Sequence, residues 1–282
     1  YVDEGAGEPV VMVHGNPTWS FYYRNLVETL KDNYRVIVPD HIGCGLSNRP
    51  GEDQYTYTLS NRIDDLATLI KHTIGTDSYR MVVHDWGGMI GIGTALRQPE
   101  QLKQLVILNT AAFLLPSDRK FHGVLRFART GLGGYLIRHF NAFVRGTLRW
   151  GSKRKPMNPE VRNQYLSPYD SPENRLAVQR FVQDIPLKPG DAAYDAAKSV
   201  DDNLQKLANT PKIIQWGRHD FIFDDAFLAE WQRRFPGIDC TVYEEAGHLV
   251  LEDESEQVCT AIKTFFEKGQ VINEESVSAA DK

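Results

Sequence analysis

The sequence predicts an α/β fold in which a mostly parallel, doubly wound sheet carries helices on both faces. Short runs of β-branched and aliphatic residues alternate with segments of helical spacing, and that alternation favours parallel βαβ units. One long interval, residues 111–208, contains no such strand-like run. We therefore expect a helical cap, inserted after the strand that ends near Asn109.

Six strands and several helices account for the alternation. The predicted strands are residues 10–14, 34–40, 80–85, 102–109, 212–217 and 240–247. The predicted helices between and after them are residues 58–74, 87–99, 225–234 and 254–268. Pro99 helps to end the second of these helices, because proline cannot continue the helical hydrogen bonding.

These elements divide the chain into a core and a cap. Residues 1–111 and 209–270 are expected to form an α/β core, residues 112–208 the cap, and residues 271–282 a polar, disordered tail. A cap at this point would cover the carboxyl ends of the strands, where open α/β sheets bind ligands. The alternative is that residues 112–208 are simply more helical core.

Composition excludes several classes of function. The chain has 282 residues, 41% of them hydrophobic, and a formal net charge of −5. No basic run indicates nucleic acid, no cationic amphipathic stretch indicates a membrane surface, and no apolar run approaches the roughly 20 residues that span a bilayer. No metal-ligand cluster or phosphate-binding glycine loop is apparent, so we expect neither a metal nor a cofactor. The three cysteines, Cys44, Cys240 and Cys259, are expected to be reduced thiols in a cytoplasmic protein.

The stretch Val82-Val83-His84-Asp85-Trp86-Gly87-Gly88 carries the chemistry. A strand followed by a sharp turn and a helix is typical of the nucleophile elbow G-x-S-x-G of α/β-hydrolases, in which small residues permit the turn. Gly87 and Gly88 supply the small residues, Val83 takes the first small position, and Asp85 stands in place of serine. The competing interpretation is that Asp85 only caps the helix that follows.

An aspartate nucleophile suits displacement at a saturated carbon. A serine alkylated there becomes an ether, which water does not readily cleave, whereas an alkylated carboxylate becomes an ester. Asp85 needs no base to ionise at neutral pH, since its ordinary pKa is about 3.9. The N-terminus of the helix behind it favours the anion further.

A general base and its acid partner are expected after later strands. His248 follows the last predicted strand, and Asp220 follows the fifth, which matches the chain order nucleophile, acid, histidine of this fold. The region after the fourth strand, residues 109–113, has no carboxylate. Other acids remain as alternatives, namely Asp118, Asp224, Asp225, Glu244 and Glu245.

Donors for a leaving group flank the nucleophile. The loop His14-Gly15-Asn16-Pro17 follows the first predicted strand, and its backbone N–H can join that of Trp86 as an oxyanion hole. The Trp86 indole and the Asn16 amide are also donors, and they suit a weakly basic anion such as halide. Alternatively, Trp86 is a core aromatic and Asn16 a turn residue.

The motifs resemble those of the haloalkane dehalogenase family over essentially the whole chain. They are HGNPTWSFYYRNL, PDHIGCGLSNRP, VVHDWGGMIG, WGRHDFIFDD and AGHLVLED, in that order. The resemblance implies Asp85 as nucleophile, His248 as base, Asp220 as acid, and Asn16 and Trp86 as halide donors. The segments NTAAFLLP, NAFVRG, PYDSPENR and RFVQDIPLKPGD resemble the third subfamily and, equally, the β-lactone decarboxylases of long-chain olefin biosynthesis, which also use an elbow aspartate.

The leading expectation is hydrolysis of a haloalkane to an alcohol and halide through an alkyl ester of Asp85. The alternative is decarboxylation of a β-lactone to an alkene and carbon dioxide. Epoxide hydrolysis comes third, since it commonly needs two cap tyrosines, for which Tyr135, Tyr165 and Tyr169 are candidates. Fluoroacetate dehalogenation is disfavoured because Trp86 stands where that family has arginine, and a catalytically inactive binding module is disfavoured by the complete set of Asp85, Asp220 and His248.

Two further expectations concern the cap and the sheet edge. Phe113, Phe143, Trp150 and Phe181 are candidate walls of the substrate pocket, or else ordinary cap core. Relatives usually carry additional strands before the YVDEG segment, so an exposed edge strand would favour a homo-oligomer.

Overall fold

Seven strands form one sheet in the computed structural model, which describes residues 1–115, 121–154 and 156–280, with residues 270–280 described by their backbone alone. The strands are β1 (Val2–Glu4), β2 (Pro9–Val13), β3 (Arg35–Val38), β4 (Tyr79–Asp85), β5 (Leu102–Thr110), β6 (Lys212–Gly217) and β7 (Asp239–Tyr243). Their order across the sheet is β1-β3-β2-β4-β5-β6-β7. Only β1 is antiparallel to its neighbour.

Helices lie on both faces of the sheet and above one of its edges. The core helices are α1 (Arg24–Leu30), α2 (Leu59–Thr73), α3 (Trp86–Ala95), α10 (Asp225–Arg234), α11 (Val250–Asp253) and α12 (Ser255–Ala280). The helices between β5 and β6 are α4 (Gly123–Ala128), α5 (Gly131–Phe140), α6 (Ala142–Trp150), α7 (Pro159–Leu166), α8 (Leu176–Gln183) and α9 (Tyr194–Asn203).

Alternate side chains of each central strand divide between two hydrophobic cores. Val11 and Val13 of β2 belong to the core under α2, α3 and α10, whereas Val10 and Met12 belong to the core under α1 and α12. A strand covered on both faces in this way reads as a continuous apolar run. The doubly wound sheet and its parallel strands are therefore confirmed.

The segment between β5 and β6 serves two purposes. Helices α4, α6 and α8 lie over the carboxyl ends of the strands, since each contributes side chains to the cavity that contains Asp85. Helix α9 instead packs against α2 and α3, and its Ala197 and Val200 belong to the sheet core. Residues 194–208 thus contact the sheet core, and the expected cap bounds of residues 112–208 stay a prediction.

The last predicted strand is shorter in the structure than in the sequence prediction. The last strand ends at Tyr243 rather than at residue 247, because residues 244–247 turn towards His248. The expected disorder of residues 271–282 stays a prediction.

The cysteines form no disulfide, as the sequence predicts. Cys44, Cys240 and Cys259 are all free thiols. Among the described helices, none combines the length and the apolar character needed to cross a bilayer. Asp118, one of the alternative acids, lies outside the described residues.

Candidate active site

Strand β4 runs directly into α3 at Asp85. The φ of 53° and ψ of −127° at this residue lie outside the regions that non-glycine residues ordinarily adopt. Two glycines make the turn possible: a Cβ on Gly87 would lie 2.0 Å from the carbonyl oxygen of Val13, and one on Gly88 would lie 1.9 Å from Oγ1 of Thr110. The structure therefore contains the nucleophile elbow, with aspartate at its apex.

Backbone donors hold the Asp85 carboxylate. The N–H of Asn16 donates to Oδ1 at 2.6 Å, and the N–H of Trp86 is a second donor. Gly15 permits this close approach, since a Cβ there would lie 2.0 Å from the same oxygen. Burial raises the pKa of Asp85 above its ordinary value, while the charge of His248 and the two N–H groups oppose that rise. The two donors form an anion hole around the carboxylate itself.

His248 lies between two carboxylates. Its Nδ1 donates to Oδ2 of Asp220 at 2.7 Å, and its Nε2 lies 3.6 Å from Oδ2 of Asp85. Burial alone would lower the pKa of His248, but Asp220 and then Asp85 raise it above the ordinary value. The bond to Asp220 fixes the proton on Nδ1 and leaves Nε2 facing the Asp85 carboxylate.

The acid position after β5 is occupied by an amide. Asn109, at a φ of 29°, accepts the N–H of Gly217 at 2.7 Å and donates to its carbonyl at 3.0 Å. Asn109 thus joins β5 to β6, and Asp220 directly after β6 supplies the carboxylate. Asp220 is itself oriented by the N–H groups of Ile222 and Phe223.

The alternative acids have other partners. Asp224 accepts the N–H of Ala226 at the start of α10, and Arg218 pairs with both Asp225 and Glu244. Glu245 is exposed.

The two side chains expected to bind an anion both line the cavity beside Asp85. Nδ2 of Asn16 donates one hydrogen to the carbonyl of Val178 at 3.2 Å, and its second hydrogen is left for a ligand. The Trp86 ring packs on Phe181 with ring centroids 5.5 Å apart. Phe181 was a candidate wall, but it lies behind Trp86, and the Arg62 guanidinium covers its ring at 3.6 Å.

An apolar cavity of about 490 Å³ leads to Asp85. That volume is typical of small-molecule sites. Phe113, Phe143 and Trp150 line it, as expected, and most of the other lining side chains are aliphatic or aromatic. His248, Asp85 and Asn16 stand at its floor, so a ligand here would be largely surrounded by hydrocarbon.

Sequence reasoning missed three residues that support His248. The ring of Phe223 stacks on its imidazole with centroids 6.0 Å apart. Nε2 of His84 donates to its carbonyl at 2.8 Å, and burial lowers the pKa of His84 well below the ordinary value, so that ring is neutral. Asp253 accepts the N–H groups of Gly247 and Lys153. Phe223 could have been found from its closeness to Asp220; the other two contacts arise only from folding.

The comparisons with known proteins agree with this geometry. The model of the α/β-hydrolase fold family matches residues 8–255. The chain is 50% identical over 273 residues to a cis-3-alkyl-4-alkyloxetan-2-one decarboxylase of Shewanella oneidensis, which covers 96% of this chain and 86% of that protein. It is 45% identical over 276 residues to one of Xanthomonas campestris, covering 95% and 92%.

Haloalkane dehalogenases are more distant relatives. Haloalkane dehalogenase 2 of Mycobacterium tuberculosis is 28% identical over 264 residues, covering 93% of this chain and 89% of that protein. A solved haloalkane dehalogenase of Bradyrhizobium elkani has a TM-score of 0.83 at 24% identity, covering 96% of this chain and 94% of that one. This last likeness concerns the fold alone.

Proposed function

This chain belongs to the α/β-hydrolase family, and we propose that it is a β-lactone decarboxylase that converts a cis-3-alkyl-4-alkyloxetan-2-one into an alkene and carbon dioxide. The observation that carries the proposal is the identity of 50% and 45%, over nearly the whole chain, to two proteins that bear this activity in their names. A dehalogenase reaches only 28%. This proposal reverses the order expected from the sequence, in which haloalkane hydrolysis came first and β-lactone decarboxylation second.

Asp85 opens the lactone ring in the first step. A carboxylate oxygen attacks C4, the saturated ring carbon that carries the ring oxygen, and the C4–O bond breaks. The ring oxygen leaves as a carboxylate, which the second amide hydrogen of Asn16 and the indole N–H of Trp86 can hold. The product is an ester of Asp85 that bears a carboxylate on the adjacent carbon.

Loss of carbon dioxide completes the reaction. The electron pair of the bond between C3 and the carboxylate forms the double bond and expels Asp85 as a carboxylate, so no water or proton is consumed. The N–H groups of Asn16 and Trp86 stabilise that departing anion. The apolar cavity favours the step because it is a poor environment for the substrate carboxylate, which leaves as neutral carbon dioxide.

The geometry of the product follows from these two steps. Attack at C4 inverts that carbon, and elimination proceeds with the two leaving groups opposed. Inversion followed by anti elimination amounts to overall syn loss, so a cis-lactone gives a cis-alkene.

A paired assay on one protein preparation tests the proposal. The substrates are a cis-3,4-dialkyloxetan-2-one, with alkene measured by gas chromatography, and a 1-bromoalkane, with bromide measured by ion chromatography. We expect alkene from the lactone at a much higher kcat/KM than bromide release. Bromide release without alkene would overturn the proposal in favour of the second candidate.

That second candidate is haloalkane dehalogenation. It is supported by the position of the Trp86 indole and the Asn16 amide beside Asp85, where they would hold halide. His248 would then activate water to hydrolyse the alkyl ester.

Epoxide hydrolysis has less support. Among the described residues, no tyrosine lines the cavity. Tyr135 is exposed, the Tyr165 hydroxyl bonds Glu252, and Tyr169 is buried. No phenol is therefore placed to protonate an alkoxide.

A further inference from the structure

The outer surface of the cap carries exposed apolar side chains on three consecutive helices. These are Val124 and Phe127 of α4, Leu132, Tyr135 and Phe140 of α5, and Trp150 of α6, each between 47% and 61% exposed. Helix α5 packs on both of its neighbours. Gly134 and Ile137 are on the buried side of α5. Gly134 lies against Gln179 of α8. We call these six residues the cap patch.

The helices that carry the cap patch bear cations and no acidic residue. Residues 121–154 contain seven lysines and arginines and no aspartate or glutamate, in a chain with a net charge of −5. Arg129 and Arg154 pair with Asp191 and Glu254. Arg126, Arg145, Arg149 and Lys153 are exposed and form no ion pair with any described residue.

The cavity opens at the cap patch. Val124, Trp150 and Lys153 all line the cavity, and all three are exposed. The mouth therefore lies between α4 and α6, at the edge of the apolar and cationic surface.

We propose that the cap patch and its arginines dock on the surface of an anionic phospholipid bilayer, with the cavity mouth towards the lipid. Exposed apolar side chains combined with cations are the chemistry of interfacial helices. A second copy of the chain is a poor occupant, because two identical cationic surfaces would repel each other. The proposal deepens the proposed function, in that a substrate with two alkyl chains would be drawn from the same bilayer.

The absence of a cationic amphipathic stretch from the sequence is compatible with this proposal. The cap patch is not one cationic amphipathic stretch. It is assembled from three short helices, each of which shows only a few exposed apolar residues.

Vesicle flotation without substrate tests the proposal. We expect the wild-type protein to float with vesicles of phosphatidylcholine mixed with phosphatidylglycerol, to float little with phosphatidylcholine alone, and to be released by salt. The variant Arg145→Gln/Arg149→Gln should bind anionic vesicles about 20-fold more weakly. The matched control Lys71→Gln/Lys206→Gln removes two exposed charges elsewhere and should bind as the wild type does.

The apolar contribution has its own pair of variants. Leu132→Ser/Phe140→Ser should weaken binding about tenfold, whereas Leu46→Ser, at an exposed leucine outside the cap, should not. None of these side chains lines the cavity, so alkene formation from a detergent-dispersed lactone should persist in every variant.

Two outcomes would overturn the proposal: no flotation of the wild type, or equal flotation of the cap and control variants. Because flotation needs no turnover, its failure would leave the proposed decarboxylation intact. Alkene formation can fail independently, with flotation unaffected.

Discussion

Asp85 has a strained backbone, which Gly87 and Gly88 permit. It also has a close N–H donor on Asn16, which Gly15 permits. The elbow places the carboxylate at the cavity floor, and Gly15 lets the Asn16 N–H reach it at 2.6 Å. In the proposed decarboxylation, the charge that develops on Asp85 in the second step would therefore be met by donors already in position. Preorganised donors of this kind provide a large share of catalysis in water-excluded sites.

Replacing Gly15 with alanine should damage the site selectively. The added Cβ would meet Oδ1 of Asp85, so we expect kcat for alkene formation to fall about 100-fold, the usual cost of losing one such donor. Gly131→Ala is the matched control, since nothing lies within 4 Å of a Cβ there. An unchanged kcat in Gly15→Ala would show that the Asn16 donor is dispensable.

The ionisation of His248 should control the choice between two fates of the Asp85 ester. Activation of water needs the neutral imidazole, whereas elimination needs no base. Asp220 and Asp85 raise the pKa of His248 against the effect of burial, so the neutral form is lost as the pH falls through that raised pKa. We predict that the ratio of alkene to 3-hydroxy acid rises as the pH is lowered, measured by product analysis across the pH range. A ratio that falls on acidification would contradict this role.

Among single residues, the sequence predicted that Asp85, Asp220 and His248 would form one site. Their types and chain order follow a known pattern, and the structure brings the three together. The positions of Asp253 and His84 could not be predicted, because each acts on a backbone group that only the folded chain brings near. The catalytic roles of Asp85, Asp220 and His248 remain predictions.

Among the elements, the loop that carries His248 is tied to the cap through one buried carboxylate. Asp253 accepts from Gly247 on one side and from Ser152, Lys153 and Arg154 on the other. Removing that carboxylate would leave buried N–H groups without partners, which is costly.

Asp253→Ala should therefore lower the free energy of unfolding by about 3 kcal/mol, as measured by urea denaturation. Asp225→Ala provides the contrast. Asp225 forms an exposed pair with Arg218, and its loss should cost less than about 1 kcal/mol. Equal effects of the two substitutions would contradict the connection between cap and loop.

Helix α6 should set the length of alkyl chain that the cavity accepts. Gly146 lines the cavity, and a Cβ there would already lie 3.1 Å from the Trp150 ring. We expect Gly146→Leu to lower kcat/KM for a long-chain lactone about tenfold and to spare a short-chain one. An equal loss for both lengths, measured with a series of lactones, would place the alkyl chain elsewhere.

Strongly patterned elements were predicted closely, and weakly patterned ones were not. Strand β6 and helix α10 have the predicted bounds, because flanking polar and turn residues delimit them. The end of β7 was placed too late because residues 244–247 turn towards His248 instead of continuing the strand, and three-residue β1 has too few residues to show a period. Cap helices were foreseen only as a helical interval, because their packing on one another leaves no long amphipathic repeat.

For the whole molecule, the fold is that of an α/β-hydrolase with a large apolar cavity beneath helices inserted between β5 and β6. The fold class was predictable because strand-like runs alternate with segments of helical spacing along the sequence. The substrate was not, since dehalogenases and lactone decarboxylases share the elbow aspartate and differ in what the cavity receives. Association through the sheet edge stays a prediction; the edge strands are β1 and β7.

The most direct measurement is the yield of cis-alkene from a cis-3,4-dialkyloxetan-2-one, compared between the wild-type protein and Asp85→Ala. We expect cis-alkene and carbon dioxide from the wild type, and a rate reduced at least about 1,000-fold in a variant that retains its fold by circular dichroism. A trans-alkene, a 3-hydroxy acid as the main product, or undiminished alkene formation by Asp85→Ala would contradict it.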